Sequence, residues 1–278
     1  MGKSDSNRNI AVIAGGGNLP LLIIEKLSKL RRDFAVLSID GFGPSGYRKF
    51  ELGSIGKMLA YIKNFKATEV VFCGNVKRPS FFSLKLDSVG KRWLAVLGIR
   101  AFLGDNALLS GIKKLLEREG IKIIGPQSIL STLLTPPGIL TANRKPSETD
   151  LQDMARGIFV LNTLSNADVG QAVIVQEGVV LGVEAAEGTA ELVSRCKHLK
   201  LRERGGVLVK TSKRDQDKVV DLPSIGKWTI SDVSNCGLNG IAIGAGDSQI
   251  IDYEETIAAA NSSGIFVLGF KSSSINPT

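Results

Sequence analysis

One short polar segment carries Lys210, Lys213, Arg214, Asp217, Lys218 and Asp221. Carboxylates hold a hard divalent cation through oxygen, and lysines meet phosphate oxygens as charge-assisted donors. Acids and cations this close suit a metal-bound polyphosphate. The same composition also suits a solvated, charge-balanced loop, so the segment gains meaning only from its context. An apolar run of strand type, Val207, Leu208 and Val209, delivers it, and Leu222-Pro223 closes it, proline steering Leu222 away from helix. Other acids mark strand ends or adjoining turns: Asp168, Glu184 and Glu187. Converging with Asp217 and Asp221, they would make an all-oxygen site suited to Mg²⁺ on a phosphate ester. Taken singly, each would serve equally as an exposed or capping residue.

A second set of candidates lies in the first half of the chain. The apolar run from Ile10 to Ala14 is followed by Gly15-Gly16-Gly17-Asn18-Leu19-Pro20. Leu22, Ile23, Leu27 and Leu30 then recur at helical spacing. A strand, a glycine turn and a helix let backbone N–H groups approach a phosphate at the helix N-terminus; the same glycines also serve a tight connection with no ligand. The turn is neither GxGxxG nor Walker A. Phe34 to Ile39 is a second strand ending at Asp40, where dinucleotide folds keep a ribose-binding acid. Glu69 to Cys73 is a third strand, running into Gly74-Asn75-Val76-Lys77-Arg78-Pro79. Ligands of open α/β sheets bind beyond the carboxyl ends of strands. Asn75, Lys77 and Arg78 are therefore candidates for sugar or phosphate contact.

The elements that must position these residues follow from periodicity. The alternation of strands and helices predicts a Rossmann-like α/β domain with a parallel sheet over residues 1–135. Prolines 136, 137 and 146 place a linker at 136–146. A mixed α+β domain over 147–278 then carries the acidic stretch. It opens with a helix from Thr149 through Leu164 and continues with a hairpin turning at Glu177-Gly178. The pattern predicts a helix over Glu191 to Arg195, strands over Trp228 to Val233 and Ile241 to Ile243, a helix over Tyr253 to Asn261 and a last strand over Ile265 to Phe270. Asp105 reads as a helix cap.

Composition narrows the chemistry. The 278 residues carry a formal charge of +8, which favours anionic partners. The basic residues form no recognition helix, zinc-finger spacing or aromatic RNA-binding motif, so nucleic acid is not the expected partner. Cys73, Cys196 and Cys236 are isolated, which suits a reducing cytoplasm. His198 is the single histidine, too few for a histidine-rich metal core. No apolar run reaches the roughly 20 residues a bilayer span needs.

Six stretches together resemble the LpxI-type UDP-2,3-diacylglucosamine hydrolases (diphosphatases) of the lipid A pathway. They are Ile13 to Pro20, Gly74 to Pro79, Gly104 to Leu109, Asp168-Val169-Gly170-Gln171-Ala172-Val173, Val183 to Thr189, and Gln216 to Gly226. They run in order across nearly the whole chain. The resemblance implies a Mg²⁺-dependent cytoplasmic enzyme of two domains, with the lipid product held between them, that splits UDP-2,3-diacylglucosamine into UMP and 2,3-diacylglucosamine 1-phosphate (lipid X). It implies transient contact with the inner-membrane surface through the acylated UDP-sugar substrate, and a homodimer is compatible with it. The essential aspartate maps onto Asp221 or Asp217. On this reading Asp221 and Asp217, with Glu184 and Glu187, bind the metal, and Lys210 offsets charge on the transferring phosphoryl group. Gly15, Gly16, Gly17, Asn75, Lys77, Arg78, Asp168, Gln171 and Thr189 contact substrate. The chain departs from the family at Ala190 and Asn106, where acids are usual. Two competing functions are an NAD(P)-dependent oxidoreductase, from the glycine turn and Asp40, and a non-catalytic sensor of a nucleotide sugar or phospholipid.

Overall fold

The computed structural model describes residues 9–76, 84–98, 105–167, 169–212 and 222–271. Lys77, Arg78, Asp168, Asp217 and Asp221 lie outside these residues. The described chain divides into two compact units, one through Ser131 and one from Thr132.

The first unit is a parallel sheet. Strands β1 (Ile10–Ala14), β2 (Phe34–Ile39), β3 (Arg48–Phe50), β4 (Glu69–Cys73) and β5 (Lys122–Ile124) lie in the order β3-β2-β1-β4-β5. That order reverses direction between β1 and β4, as in a Rossmann half. The near-continuous apolar runs of β1, β2 and β4 reflect cover on both faces. Helix α1 (Leu19–Lys29) carries Pro20 in its first turn, where no N–H is needed. Helices α2 (Ile55–Asn64), α3 (Ser88–Leu97) and α4 (Asp105–Arg118) follow, and Pro126–Ile129 forms a short α5. Leu59, Ile62, Trp93 and Leu116 pack on Leu37, Val70 and Ile123 of the sheet. β3 was not legible in Arg48-Lys49-Phe50, because an edge strand needs little apolar alternation.

The second unit is built on a mixed sheet in the order β6-β13-β11-β9-β7-β8. Its strands are β6 (Gly138–Ile139), β7 (Ala172–Gln176), β8 (Val179–Val183), β9 (Val207–Lys210), β11 (Gly240–Gly244) and β13 (Phe266–Phe270). β9, β11 and β13 run parallel, while β7 is antiparallel to both β9 and β8. β10 (Ser224–Ile225) and β12 (Gln249–Ile250) form a separate parallel pair. Helix α6 (Glu148–Leu164) covers one face, placing Met154, Ile158 and Leu161 on Val173, Val207 and Val209. Helices α7 (Thr189–Cys196), α8 (Lys227–Cys236) and α9 (Tyr253–Ser263) cover the other, with Leu192, Ile230, Val233 and Ala260 on Ile174, Leu208 and Ile243.

Two expectations are corrected here. Trp228 to Val233 is not a strand but the body of α8. Ile230, Val233 and Cys236 recur every three residues and are buried, while Trp228 points outward, so the period is helical. The stretch 136–146 is not a free linker. It supplies edge strand β6, and its Ala142 and Asn143 N–H groups donate to Asn261 Oδ1 at 2.9 and 3.1 Å. The hairpin turns where expected, with Glu177 and Gly178 both at positive φ (51° and 78°), the geometry of a two-residue primed turn.

Candidate functional site

β8, β9, β11 and β13 point their carboxyl ends the same way, so their last residues share one edge with the start of β7. Lys210 closes β9 there. Side chains alternate along a strand. Val207 and Val209 face α6, which turns Leu208 and Lys210 toward α7, α8 and α9. Lys210 is therefore held inward, only 6% exposed. A buried ammonium is tolerated only when its donors are satisfied and its charge is balanced.

Two acceptors, and a carboxylate one hydroxyl away, serve these conditions. Lys210 Nζ donates to Thr189 Oγ1 at 2.7 Å and to the Ser224 carbonyl at 3.0 Å. An ammonium has no acceptor, so Thr189 spends a lone pair on Lys210 and turns its own proton outward. That proton goes to Glu184 Oε1 at 2.7 Å. Glu184 is 7% exposed, and its Oε2 accepts the Gln171 N–H at 3.1 Å. A cation, a hydroxyl, a carboxylate and a backbone amide thus form one directed line. Four residues singled out in the sequence, from three separate motifs, are brought together.

The backbone fixes the line. The Glu184 N–H donates to Ala172 O at 2.8 Å, and the Thr211 N–H donates to Gln171 O at 3.1 Å. Gly170 sits at φ +54°, and a Cβ there would stand 1.9 Å from the Glu184 carbonyl oxygen. Only glycine lets the two chains approach this closely. Gly170, Thr211 and Ser224 were not singled out as site residues. Gly170 stood within a quoted motif, and Thr211 follows Lys210 directly. Ser224 contributes a main-chain carbonyl, which leaves no trace in side-chain chemistry.

Glu187 lies elsewhere. Its Oε1 pairs with Arg195 Nη2 at 2.9 Å, and its Oε2 accepts the Ala185 N–H at 3.0 Å. Hydrogen bonding from backbone N–H, its own first, and from Arg195 holds its carboxyl below the usual range. Arg195 also donates to Val183 O at 2.7 Å, pinning the end of β8 to α7. Among the described residues, no group of three or more His, Cys, Asp or Glu is placed to hold a metal ion.

The carboxyl edge of the first sheet has a different character. The Gly15 N–H donates to Cys73 O and the Gly16 N–H to Asn75 O, both at 2.8 Å, while the Asn75 N–H returns to Gly16 O at 2.9 Å. A Cβ on Gly15 would stand 2.8 Å from Asn75 O. These glycines let the turns after β1 and β4 cross, and the Gly15 and Gly16 N–H groups are given to protein rather than offered to a phosphate. Gly17, at φ +85°, lies exposed beyond the crossing. Asp40 is exposed and pairs with Lys49 at 3.5 Å.

Two family models match the chain. One, described as the LpxI N-terminal domain, covers residues 9–133, and the other, the LpxI C-terminal domain, covers 136–268. The chain is 35% identical over 273 residues to the UDP-2,3-diacylglucosamine pyrophosphatase LpxI of Caulobacter vibrioides, covering 94% of this chain and 97% of that one. Among solved structures it is similar to the Bordetella bronchiseptica enzyme WbmG in complex with NAD, at 18% identity and a TM-score of 0.28 over 44% of this chain and 38% of that one. It is also similar to CobK precorrin-6A reductase, at 10% identity and a TM-score of 0.32 over 98% and 90%. Scores this low bear on neither fold nor function.

Proposed function

The chain belongs to the LpxI family, and from that premise we propose how its own residues serve the reaction. It is a hydrolase that cleaves the pyrophosphate bond of UDP-2,3-diacylglucosamine, giving UMP and 2,3-diacylglucosamine 1-phosphate in lipid A biosynthesis. The observation that carries this is the near full-length match to a pyrophosphatase, with both domain models in order.

Mg²⁺ is the cofactor in this reading. Among the described residues no group of three or more His, Cys, Asp or Glu is placed to hold it. Glu184 already accepts from Thr189 and Gln171, and Glu187 from Arg195 and Ala185. The metal is therefore assigned to Asp217 and Asp221, supported by their spacing in the polar segment after β9. When bound, it would neutralise diphosphate charge and polarise phosphorus. The chain's own contribution is Lys210, a cation fixed at the carboxyl edge that offsets charge on the transferring phosphoryl group. Thr189 and Glu184 position it, and the Gln171 N–H ends the same line. The acylated substrate brings the chain to the inner-membrane surface. No helix among the described residues is long and apolar enough to cross a membrane.

Incubating the purified chain with UDP-2,3-diacylglucosamine tests this. UMP and the diacyl sugar phosphate are expected with Mg²⁺ and not with EDTA. Asp217→Ala or Asp221→Ala should cut turnover on the order of a hundredfold or more, the scale of lost electrostatic stabilisation. Normal turnover in both variants would remove the acid assignment, and full activity in EDTA would remove the metal. Substrate binding with no product under any condition would instead favour a sensor.

A further inference from the structure

The loop joining α7 to β9 reads Lys197-His198-Leu199-Lys200-Leu201-Arg202-Glu203-Arg204. Folding alone would turn its leucines inward and its lysine outward. The structure does the reverse. Leu199 and Leu201 are 50% and 52% exposed. Lys200, between them, turns in and donates to the Cys236 and Gly237 carbonyls at 2.7 and 3.3 Å, capping the end of α8.

The inversion is held by hydrogen bonds. The Leu201 N–H donates to Gln176 Oε1 at 2.7 Å, and Gln176 Nε2 donates back to Arg202 O at 3.2 Å. Gln176 is 1% exposed, so a buried amide grips the loop from beneath. The Gly205 N–H donates to Gly237 O at 3.0 Å on the far side. Val179, the ladder partner of Gln176, is 48% exposed on the same margin. The result is a fixed ridge of apolar tips flanked by exposed Lys197, Arg202 and Arg204. Its acids are Glu203 and Glu177, the latter paired with Arg202. The ridge leads into the amino end of β9, whereas Lys210 closes the carboxyl end, so the two are separate features of one strand.

We propose that this ridge docks the protein on an anionic phospholipid surface. Cations alternating with leucines suit that partner. The leucine tips reach the boundary between headgroups and acyl chains while the lysine and arginines meet phosphates. The exposed Lys197, Arg202 and Arg204 outnumber Glu203 and Glu177, and Lys197 and Arg204 give the excess positive charge that favours anionic over neutral lipid. The inference deepens the membrane contact proposed above by naming its surface, and it rests on that reading only for the reason such contact is useful.

The test is co-sedimentation of the full chain with vesicles of phosphatidylglycerol and phosphatidylcholine, or of phosphatidylcholine alone, at low salt. Wild type should bind the anionic vesicles at least tenfold more tightly. Leu199→Ser/Leu201→Ser should lose at least fivefold, as should Lys197→Gln/Arg204→Gln, with urea midpoints matching wild type. Hydrolysis of detergent-dispersed substrate should be unchanged in both. Equal binding to both vesicle types, or variants that bind like wild type, would overturn the proposal. So would a dimer in sedimentation velocity that the leucine variant dissociates while wild type ignores vesicles, since the ridge would then be a contact between copies. Loss of hydrolysis in the wild-type chain would strike the enzymatic reading and leave the vesicle result standing.

Discussion

Replacing Thr189 with valine removes a hydroxyl and leaves a branched side chain of the same shape. Nothing else in the line from Lys210 to Glu184 changes. Two hydrogen bonds disappear, each 2.7 Å long and each to a charged group. Such bonds contribute about 1.5–3 kcal/mol apiece. Thr189 is half-buried, so water replaces part of what is lost. The sum is then near the lower end, about 3 kcal/mol. Thr189→Ser keeps the hydroxyl and loses one methyl, which costs about 1 kcal/mol or less. Urea unfolding at pH 7, followed by far-UV circular dichroism, should separate wild type, serine and valine in that order with equal slopes. Turnover should follow the same order, because an ammonium that has lost one acceptor is no longer aimed. A valine variant within about 0.5 kcal/mol of wild type, inside the ordinary scatter of surface changes, would show that the line does not act as a unit. A stable valine variant with full turnover would also refute the positioning role.

Gly170→Ala should destabilise by more than the roughly 1–2 kcal/mol of a left-handed alanine, because its Cβ would also displace the Glu184 carbonyl; a urea midpoint close to wild type would refute this. All three cysteines are buried. Burial pushes the Cys73 thiol up to about 12 and raises Cys196 and Cys236 as well. A thiol reagent at pH 8 should therefore label none of the three in native protein and all of them in urea, and rapid labelling of the native chain would count against the packing. Asp153 accepts the Glu177 and Gly178 N–H groups at 3.1 and 2.7 Å and clasps the hairpin to α6. Burial raises its carboxyl above the usual range against those bonds. The folded state thus holds this proton more tightly than the unfolded chain. Its contribution to stability is full below the ordinary carboxylate pKa of about 4 and is lost as pH rises through the folded value. The stability difference between wild type and Asp153→Asn should fall across that window, and a flat difference would refute the assignment.

The sheet of the first unit was legible because β1, β2 and β4 are apolar runs of strand length between glycine turns and helical patterns. The hairpin was legible from Glu177-Gly178. Trp228 misled because Trp-Thr-Ile is strand-like by composition, and only the burial of Ile230, Val233 and Cys236 reveals the period. The prolines of 136–146 hid β6, since a two-residue edge strand has almost no pattern to show. At the site, Lys210, Glu184, Thr189 and Gln171 were each visible as chemistry-bearing residues. Their connection was not visible, because it depends on β8 and β9 sharing a carboxyl edge on either side of β7, a matter of topology rather than spacing. Gly15 and Gly16 were visible for a reason the structure replaces. Their lack of a side chain serves a crossing of two turns.

Strand β9 has a local rule broken at each end. At its carboxyl end a lysine occupies a core-facing position, and a hydroxyl, a carbonyl and a carboxylate must be recruited to keep it there. Just before its amino end a lysine turns in and two leucines turn out, and Gln176 must be buried to hold the loop that way. Neither arrangement is what packing alone would choose, because an apolar residue at position 210 and inward leucines at 199 and 201 would bury more surface with fewer polar groups to satisfy. Departures of this kind persist where something other than stability is being selected. In the proposed function the carboxyl end supplies a fixed cation to a diphosphate, and in the proposed docking the amino end supplies an amphipathic ridge to a lipid surface. An enzyme whose substrate has a charged diphosphate on one side and acyl chains on the other has use for both, and one short strand provides the rigid spacing between them.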